Sequence, residues 1–248
     1  MKTFSITDIG RKRSMNQDYV YSMEQPIGNL PNLFIVADGM GGHNAGDYAS
    51  RCTVETIEQF VKETTLKEPA AIMEAAIQKA NEVVIAESNA HTELRGMGTT
   101  VVMASIYADH KMVVANVGDS RLYVVDEEMK QITKDHSLVE EMVRMGEMDK
   151  AKAKNHPKKN YITRAVGASD EIEADFFEVE LEPSDMVLMC TDGLTNMVED
   201  MDIRNIMKGQ RDVAEAAERL VETANDRGGR DNVTVIVIEP FADEVKVC

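Results

Sequence analysis

Apolar and polar residues alternate at Phe4 and Ile6 as in a short edge strand, and two further strand-like runs, YVYSM (19–23) and LFIVA (33–37), flank the turn-rich QPIGNLPN. That pair predicts a hairpin. From Ala45 to about Lys62 the period lengthens, with Ala49, Cys52, Ile57 and Phe60 near helical spacing. From Pro69 to Ser88 the set Met73, Ala76, Ile77, Ala80, Val83 and Val84 keeps that spacing more cleanly. Pro69 stands at the start of this second helix, where its missing N–H does no harm. Strands return as TTVVMASIY (99–107), MVVANV (112–117) and RLYVV (121–125), and the short turns ADHK and GDS between them predict an antiparallel meander. Ser137 with Glu140 forms a capping box for a short helix through Met145, after which GEMDKAKAKNHPKKN (146–160) loses periodicity and reads as a loop or flap. FFEVEL (176–181) and MVLMC (186–190) are two more strands, followed by an amphipathic helix over 213–226 that Gly228 and Gly229 close, and a last strand, NVTVIVIE (232–239).

Strands grouped around a block of helices, without regular alternation of strand and helix, predict an α+β class with largely antiparallel sheets. About ten strands are too many for one flat sheet, so two packed sheets flanked by helices follow. There is no internal repeat and no low-complexity linker, and one domain is expected over residues 1–248, with a flap at about 145–168.

Composition narrows the partners. The 27 Lys and Arg against 44 Asp and Glu give a net charge of −17, which argues against a nucleic acid or an anionic membrane surface as partner. No run approaches the roughly 18 apolar residues of a membrane helix, and MKTFSITDIGRKR lacks a signal-peptide core, so no membrane insertion and a cytoplasmic protein are expected. Cys52, Cys190 and Cys248 have no paired spacing, which fits a reducing compartment and not a thiolate metal site.

Four aspartates stand where apolar strands meet tight turns: Asp38 after LFIVA, Asp119 after VVANVG, Asp192 after MVLMCT, and Asp231 ahead of NVTVIVIE. Asp-Gly alone is an ordinary turn dipeptide. Four at the ends of strands in one layered core can converge, and converged carboxylates stay ionised only beside a cation. A donor set of oxygens almost without thiolate or imidazole suits a hard ion, Mg²⁺ or Mn²⁺. The glycines after Asp38 do not make a phosphate loop, because Asn44 stands where the dinucleotide fingerprint needs glycine and no G-K-[ST] follows. Arg13, in GRKRSMNQD just ahead of Asp18, reads on spacing alone as part of a solvated basic turn and otherwise as a guanidinium fork suited to clamp two phosphate oxygens. Lys150, Lys152, Lys154, Lys158 and Lys159 form a basic island that reads by default as a solvated loop and otherwise as a place for phosphopeptide contacts. His43, His136 and His156 show no metal-ligand spacing with one another, and Cys52 and Cys190 sit in packing patterns.

In order along the chain, RSMNQD, VADGMGGHNAGDYAS, GTTVV, ANVGDSRLYVV, ITKDHSLVEEMVRMGEM, ITRAVG, MCTDGLTNMV and GGRDNVTVIVI resemble the motifs of the metal-dependent Ser/Thr protein phosphatases, type 2C, and most of all their bacterial branch. The likeness runs from about Asp8 to Ile238. It implies a four-layer α/β/β/α sandwich and an enzyme that hydrolyses phosphoserine and phosphothreonine in proteins by water activated at two divalent ions. By position it makes Asp38 the bridging ligand, Gly39 a backbone-carbonyl ligand, Asp192 and Asp231 direct ligands, and Asp119 with Asp192 the seat of a weaker third ion. Arg13 becomes the phosphate clamp, and Asp18 the acid that orients metal-bound water. The chain departs from many eukaryotic members in having Gln17 where they have an acid and Met40 where they have a histidine proposed as general acid, which leaves the donor of the leaving-group proton unassigned, with metal-bound water and His43 as the candidates. Phosphorylated proteins and a bacterial Ser/Thr kinase are the implied partners of a monomer. The rival reading is a catalytically silent phosphoprotein-binding regulator, which predicts a lost ligand aspartate, and none is lost.

Overall fold

Strict alternation along the strands decides the architecture, because each strand has two faces and most of them here are buried on both. The computed structural model describes residues 1–42, 45–149, 152 and 156–242. In chain order the strands are β1 (Lys2–Asp8), β2 (Asp18–Met23), β3 (Leu33–Met40), β4 (Gly98–Thr99), β5 (Val101–Ile106), β6 (Lys111–Val117), β7 (Arg121–Val125), β8 (Met129–Gln131), β9 (Asp175–Glu180), β10 (Met186–Cys190) and β11 (Val233–Glu239). The helices are α1 (Ala45–Glu63), α2 (Pro69–Ala90), α3 (Leu138–Arg144), α4 (Asp192–Thr195), α5 (Asp200–Gly209) and α6 (Val213–Asp226). One sheet has the order β1-β11-β10-β7-β8; the other has β2-β3-β5-β6-β9, with β4 on the end of β3. Every pairing is antiparallel.

On β3, Leu33, Ile35 and Ala37 face α1 and α2, where they meet Ile57, Val61, Met73 and Ile77. Phe34 and Val36 face the other way and meet Leu122, Met189, Ile236 and Ile238 of the opposite sheet. That second sheet uses its other parity, Tyr123, Leu188, Val235 and Val237, against Leu194, Ile203 and Leu220 of α4, α5 and α6. The result is helix, sheet, sheet, helix, the expected α+β sandwich, and double-sided burial explains why LFIVA and NVTVIVIE are almost unbroken apolar runs. The hairpin of β2 and β3, the edge position of β1, Pro69 at the start of α2 and the cap of α3, where the Glu140 N–H donates to Ser137 Oγ at 3.2 Å, agree with the sequence pattern.

The predicted meander is corrected. β5 and β6 pair, but β7 pairs with β10 in the other sheet. Gly118, Asp119 and Ser120 carry the chain across from one sheet to the other, where a short turn between two strands had suggested a hairpin. β3 also runs two residues past Asp38, to Met40, because Gly39 and Met40 pair with Thr99 and Gly98.

Candidate active site

The same parity that builds the interior aims the carboxylates. Asp38 follows Phe34 and Val36 on the inter-sheet face of β3, and Asp18, its register partner on β2, points the same way. From the opposite sheet, Thr191 follows Met189 and Thr234 precedes Ile236, so both hydroxyls face back. Thr191 Oγ1 and Thr234 Oγ1 donate to Asp18 Oδ2 at 2.9 and 2.7 Å. Because the one Thr234 proton is committed there, Thr7 must be the donor in its 2.7 Å contact with Thr234 Oγ1. The other oxygen of Asp18, Oδ1, is buried and has no hydrogen-bond partner among the described residues.

Close backbone approaches bring the remaining groups in. A Cβ on Gly193 would lie 1.8 Å from the Asn232 carbonyl, so only glycine lets the start of α4, with Asp192, close on the segment that carries Asp231. Gly10, at φ +80°, turns the N-terminal loop against the Asp231 backbone, with only 2.2 Å between its own Cβ position and that carbonyl. Arg13 rides on this loop and donates through one terminal guanidinium nitrogen to Asp231 Oδ2 at 2.7 Å, although about half of its side chain is exposed. Asn232 Nδ2 donates to the Ile9 and Met15 carbonyls, and its Oδ1 accepts the Gln17 N–H, which pins the loop ahead of Asp18. Gly39 donates its N–H to the Gln17 carbonyl at 3.0 Å.

Charge confirms the grouping. Burial, then Asp18, Asp192, Asp119 and Asp231 in turn, push the Asp38 carboxyl well above the usual range. Burial lifts Asp18 to about 7 against the two hydroxyl bonds that lower it. Burial and then Asp192 and Asp135 lift Asp119 to about 8, with Arg121 opposing. Burial and then Asp231 lift Asp192 to about 6, against the Asn196 Nδ2 that donates to Asp192 Oδ2 at 2.8 Å. Asp38, Asp119 and Asp192 keep some surface open to solvent, yet enough protein surrounds them to strip much of their hydration. The convergence is one of charge and not of atoms on one point. Among the described residues, no three His, Cys, Asp or Glu side chains form a closed coordination set. A cluster of buried acids that raise one another, with an unpartnered Asp18 Oδ1 among them, is the environment a hydrated divalent cation would relieve, so the residues fit such an ion.

A cleft of about 770 Å³ opens beside Asp119 and Asp192, lined further by Thr133, Asp135, Lys159 and Glu199. Lys159 Nζ donates to Asn196 Oδ1 at 2.7 Å, so of the basic island this lysine reaches the site, while Lys152 is exposed beside Asp149 and Lys158 lies over the Tyr161 ring. Lys150, Lys154, His43 and Cys248 lie outside the described residues. Met40 is half-buried at the end of β3 and carries a thioether with no proton to give. Cys190 is fully buried and its thiol pushed up to about 12, and burial raises Cys52 as well, so neither is a ready nucleophile. Sequence reasoning missed Thr191, Thr234, Asn196 and Asn232; the parity of β10 and β11 carried the signal for the two threonines.

An antiparallel two-sheet sandwich with acids gathered at one end of the inter-sheet layer defines a class of metal-dependent hydrolase sites. The family described as protein phosphatase 2C matches residues 10–235, and the chain belongs to it. It is 43% identical over 242 residues to the serine/threonine phosphatase stp of Listeria innocua, covering 94% of this chain and 93% of that protein. The solved serine/threonine phosphatase Stp1 of Staphylococcus aureus superposes with a TM-score of 0.88 at 32% identity, over 95% of this chain and 93% of the other. The catalytic domain of the serine threonine protein phosphatase PstP, solved with two manganese ions, superposes with a TM-score of 0.82 at 33% identity, over 95% and 96%.

Proposed function

We propose that this chain hydrolyses phosphoserine and phosphothreonine esters of proteins at the carboxylate end of its inter-sheet layer. It is a metal-dependent protein serine/threonine phosphatase of the type 2C family. The observation that carries the site assignment is the gathering of buried acids, with Asp38 raised by burial and by Asp18, Asp192, Asp119 and Asp231, beside an Asp18 oxygen that has no partner among the described residues. Asp38, Gly39, Asp192 and Asp231 would hold two Mn²⁺ or Mg²⁺ ions, and Asp119 with Asp192 a third. Bound there, divalent cations supply Lewis acidity towards a phosphoryl oxygen and lower the pKa of water.

The chain's own groups do the rest. Asp18, fixed at Oδ2 by Thr191 and Thr234, keeps Oδ1 free to accept a proton from water. The Arg13 fork, half exposed beside Asp231, reaches the non-bridging oxygens of a phosphate and holds them as charge builds in the transition state. Direct attack by water is the route in this reading, and the raised thiols of Cys190 and Cys52 take no part in it. The whole of 1–248 acts as one catalytic unit in this reading, a cytoplasmic monomer that opposes a Ser/Thr kinase. No described helix is long and apolar enough to cross a membrane, in keeping with that placement.

The test uses chelator-stripped protein, a phosphothreonine peptide and p-nitrophenyl phosphate. Turnover that appears only with added Mn²⁺ and survives thiol alkylation is expected. Tight phosphopeptide binding without turnover would instead favour the silent regulator.

A further inference from the structure

His136 is the one histidine of the described chain whose ring is built into the protein near the site and to which the chemistry above gives no task. It is 6% exposed and stands between three pieces of backbone. Its ring Nδ1 accepts the Gly118 N–H at 3.1 Å, and its own N–H donates to the Gly118 carbonyl at 2.9 Å. Both polar groups of the peptide residue that precedes Asp119 are therefore held by one side chain and its backbone. On the far side, the His136 carbonyl accepts the Thr163 N–H at 2.8 Å, and Leu138 N–H donates to the Tyr161 carbonyl at 2.8 Å, so the end of the flap is stitched to His136 and the two residues after it.

The ring's second nitrogen fixes which tautomer is present. An acceptor Nδ1 puts the proton on Nε2. Nε2 lies 3.3 Å from Asp175 Oδ2, too misaligned for a regular hydrogen bond but close enough for the carboxylate to draw that proton. Asp175 opens β9, and Arg164 of the flap segment donates to its other oxygen at 3.0 Å. A continuous line thus runs from Arg164 through Asp175 and the imidazole to the turn that crosses between the sheets and presents Asp119.

We propose that His136 is a positioning residue, which holds the Gly118 turn through Nδ1 and thereby sets the Asp119 carboxylate for its divalent ion. The inference rests on the reading of Asp119 as a metal ligand. A buried N–H left without its acceptor lets the turn relax, and partners of this supporting kind change metal affinity by about 10- to 100-fold when removed.

The first measurement is on the unaltered protein. With ¹⁵N-labelled histidine, His136 is expected to show an unprotonated Nδ1 and a protonated Nε2 at about pH 8; the opposite tautomer overturns the proposal. In His136→Phe the Gly118 amide is expected to exchange at least about tenfold faster while amides of β5 do not change. The Mn²⁺ concentration for half-maximal binding, followed by Mn²⁺ electron paramagnetic resonance, is expected to rise about tenfold or more in a weak site, with the phosphopeptide KM little altered. His136→Asn, whose Oδ1 can replace Nδ1 as acceptor, should restore most of both effects. Unchanged Gly118 exchange in a folded His136→Phe protein, or no rescue by asparagine, overturns the proposal. Asp119→Asn run alongside separates the two readings. If it leaves Mn²⁺ binding unaltered, the ligand assignment of Asp119 fails and with it the effect on the ion; if it weakens binding and His136→Phe does not, the positioning role alone fails. Should His136→Phe not fold, Asp175→Asn, which alters little volume, decides in its place: faster Gly118 exchange supports the line, and unchanged exchange breaks it.

Discussion

The middle and the loop end of the inter-sheet layer lie on the same inward faces of the two sheets, and they are opposite in character. In the middle, Phe34, Val36, Met189 and Ile236 pack in one buried apolar cluster. One step further along, the same faces carry Asp38, Asp18, Thr191 and Thr234. The end is held against its own charge by what the middle supplies, since burial of apolar side chains does not depend on pH or on ions and the carboxylate end depends on both. Separating the two regions experimentally is therefore the way to test the account.

The largest effect should come from the middle. Phe34 is fully buried, so Phe34→Ala should cost about 3–5 kcal/mol, or roughly 10 °C in Tm for a chain of this size. Protein that remains folded should keep an unchanged Mn²⁺ requirement in the phosphopeptide assay. A changed requirement would mean that the two regions are not separable. The reverse experiment is Asp38→Asn, which should lower metal-dependent turnover by more than about 100-fold, beyond what a mere supporting group costs a metal centre. In chelator it should also raise Tm, because a carboxylate disfavoured by burial and by four neighbouring acids has been replaced by a neutral amide. Full activity in Asp38→Asn would sink the metal assignment outright.

Next in size is the pH response of the metal-free protein. Asp18, Asp119 and Asp192 have folded-state values of about 7, 8 and 6, each above the ordinary 3.8. A raised acid binds more protons folded than unfolded, so its contribution is favourable at low pH and is lost as pH climbs through the folded value. His136 acts the other way: burial lowers its pKa, so its contribution is present above the unfolded value and falls away as pH drops. With Asp38 also raised, four acids against one histidine predict a Tm that declines between about pH 4 and 8 in chelator and recovers on addition of Mn²⁺. A flat or rising profile, read by thermal melts, would mean that water reaches the acids and that burial does not hold their carboxyls up.

How much of this was legible follows the range of each interaction. Periodicity disclosed the hairpin, both long helices and the last strand because those patterns are local. The four strand-end aspartates were visible for the same reason. The crossing at Gly118 was not, since a three-residue link between two strands looks the same whether they pair or part, and only β10, some 65 positions on, decides that β7 leaves. The short α4 and α5 were missed because four and ten residues carry too few turns for a period to stand out. The hold of Thr191 and Thr234 on Asp18 spans 173 and 216 positions and emerges only once the two sheets face each other.

The smallest expected effect is also the most discriminating for the chemistry. Arg13 is half exposed and anchored to Asp231 through one nitrogen, so removing it leaves the packed middle undisturbed. Arg13→Ala should leave Tm within a degree or two and raise the KM for a phosphothreonine peptide about tenfold, the worth of one charge-assisted contact. Arg13→Lys should recover only part of this, because an ammonium cannot form the paired bonds of a guanidinium fork. The anchor gives the test a second edge. If Arg13 served chiefly to neutralise Asp231, its loss would expose an uncompensated carboxylate and shift the Mn²⁺ dependence with KM unchanged; if it clamps phosphate, KM moves and the Mn²⁺ dependence stays.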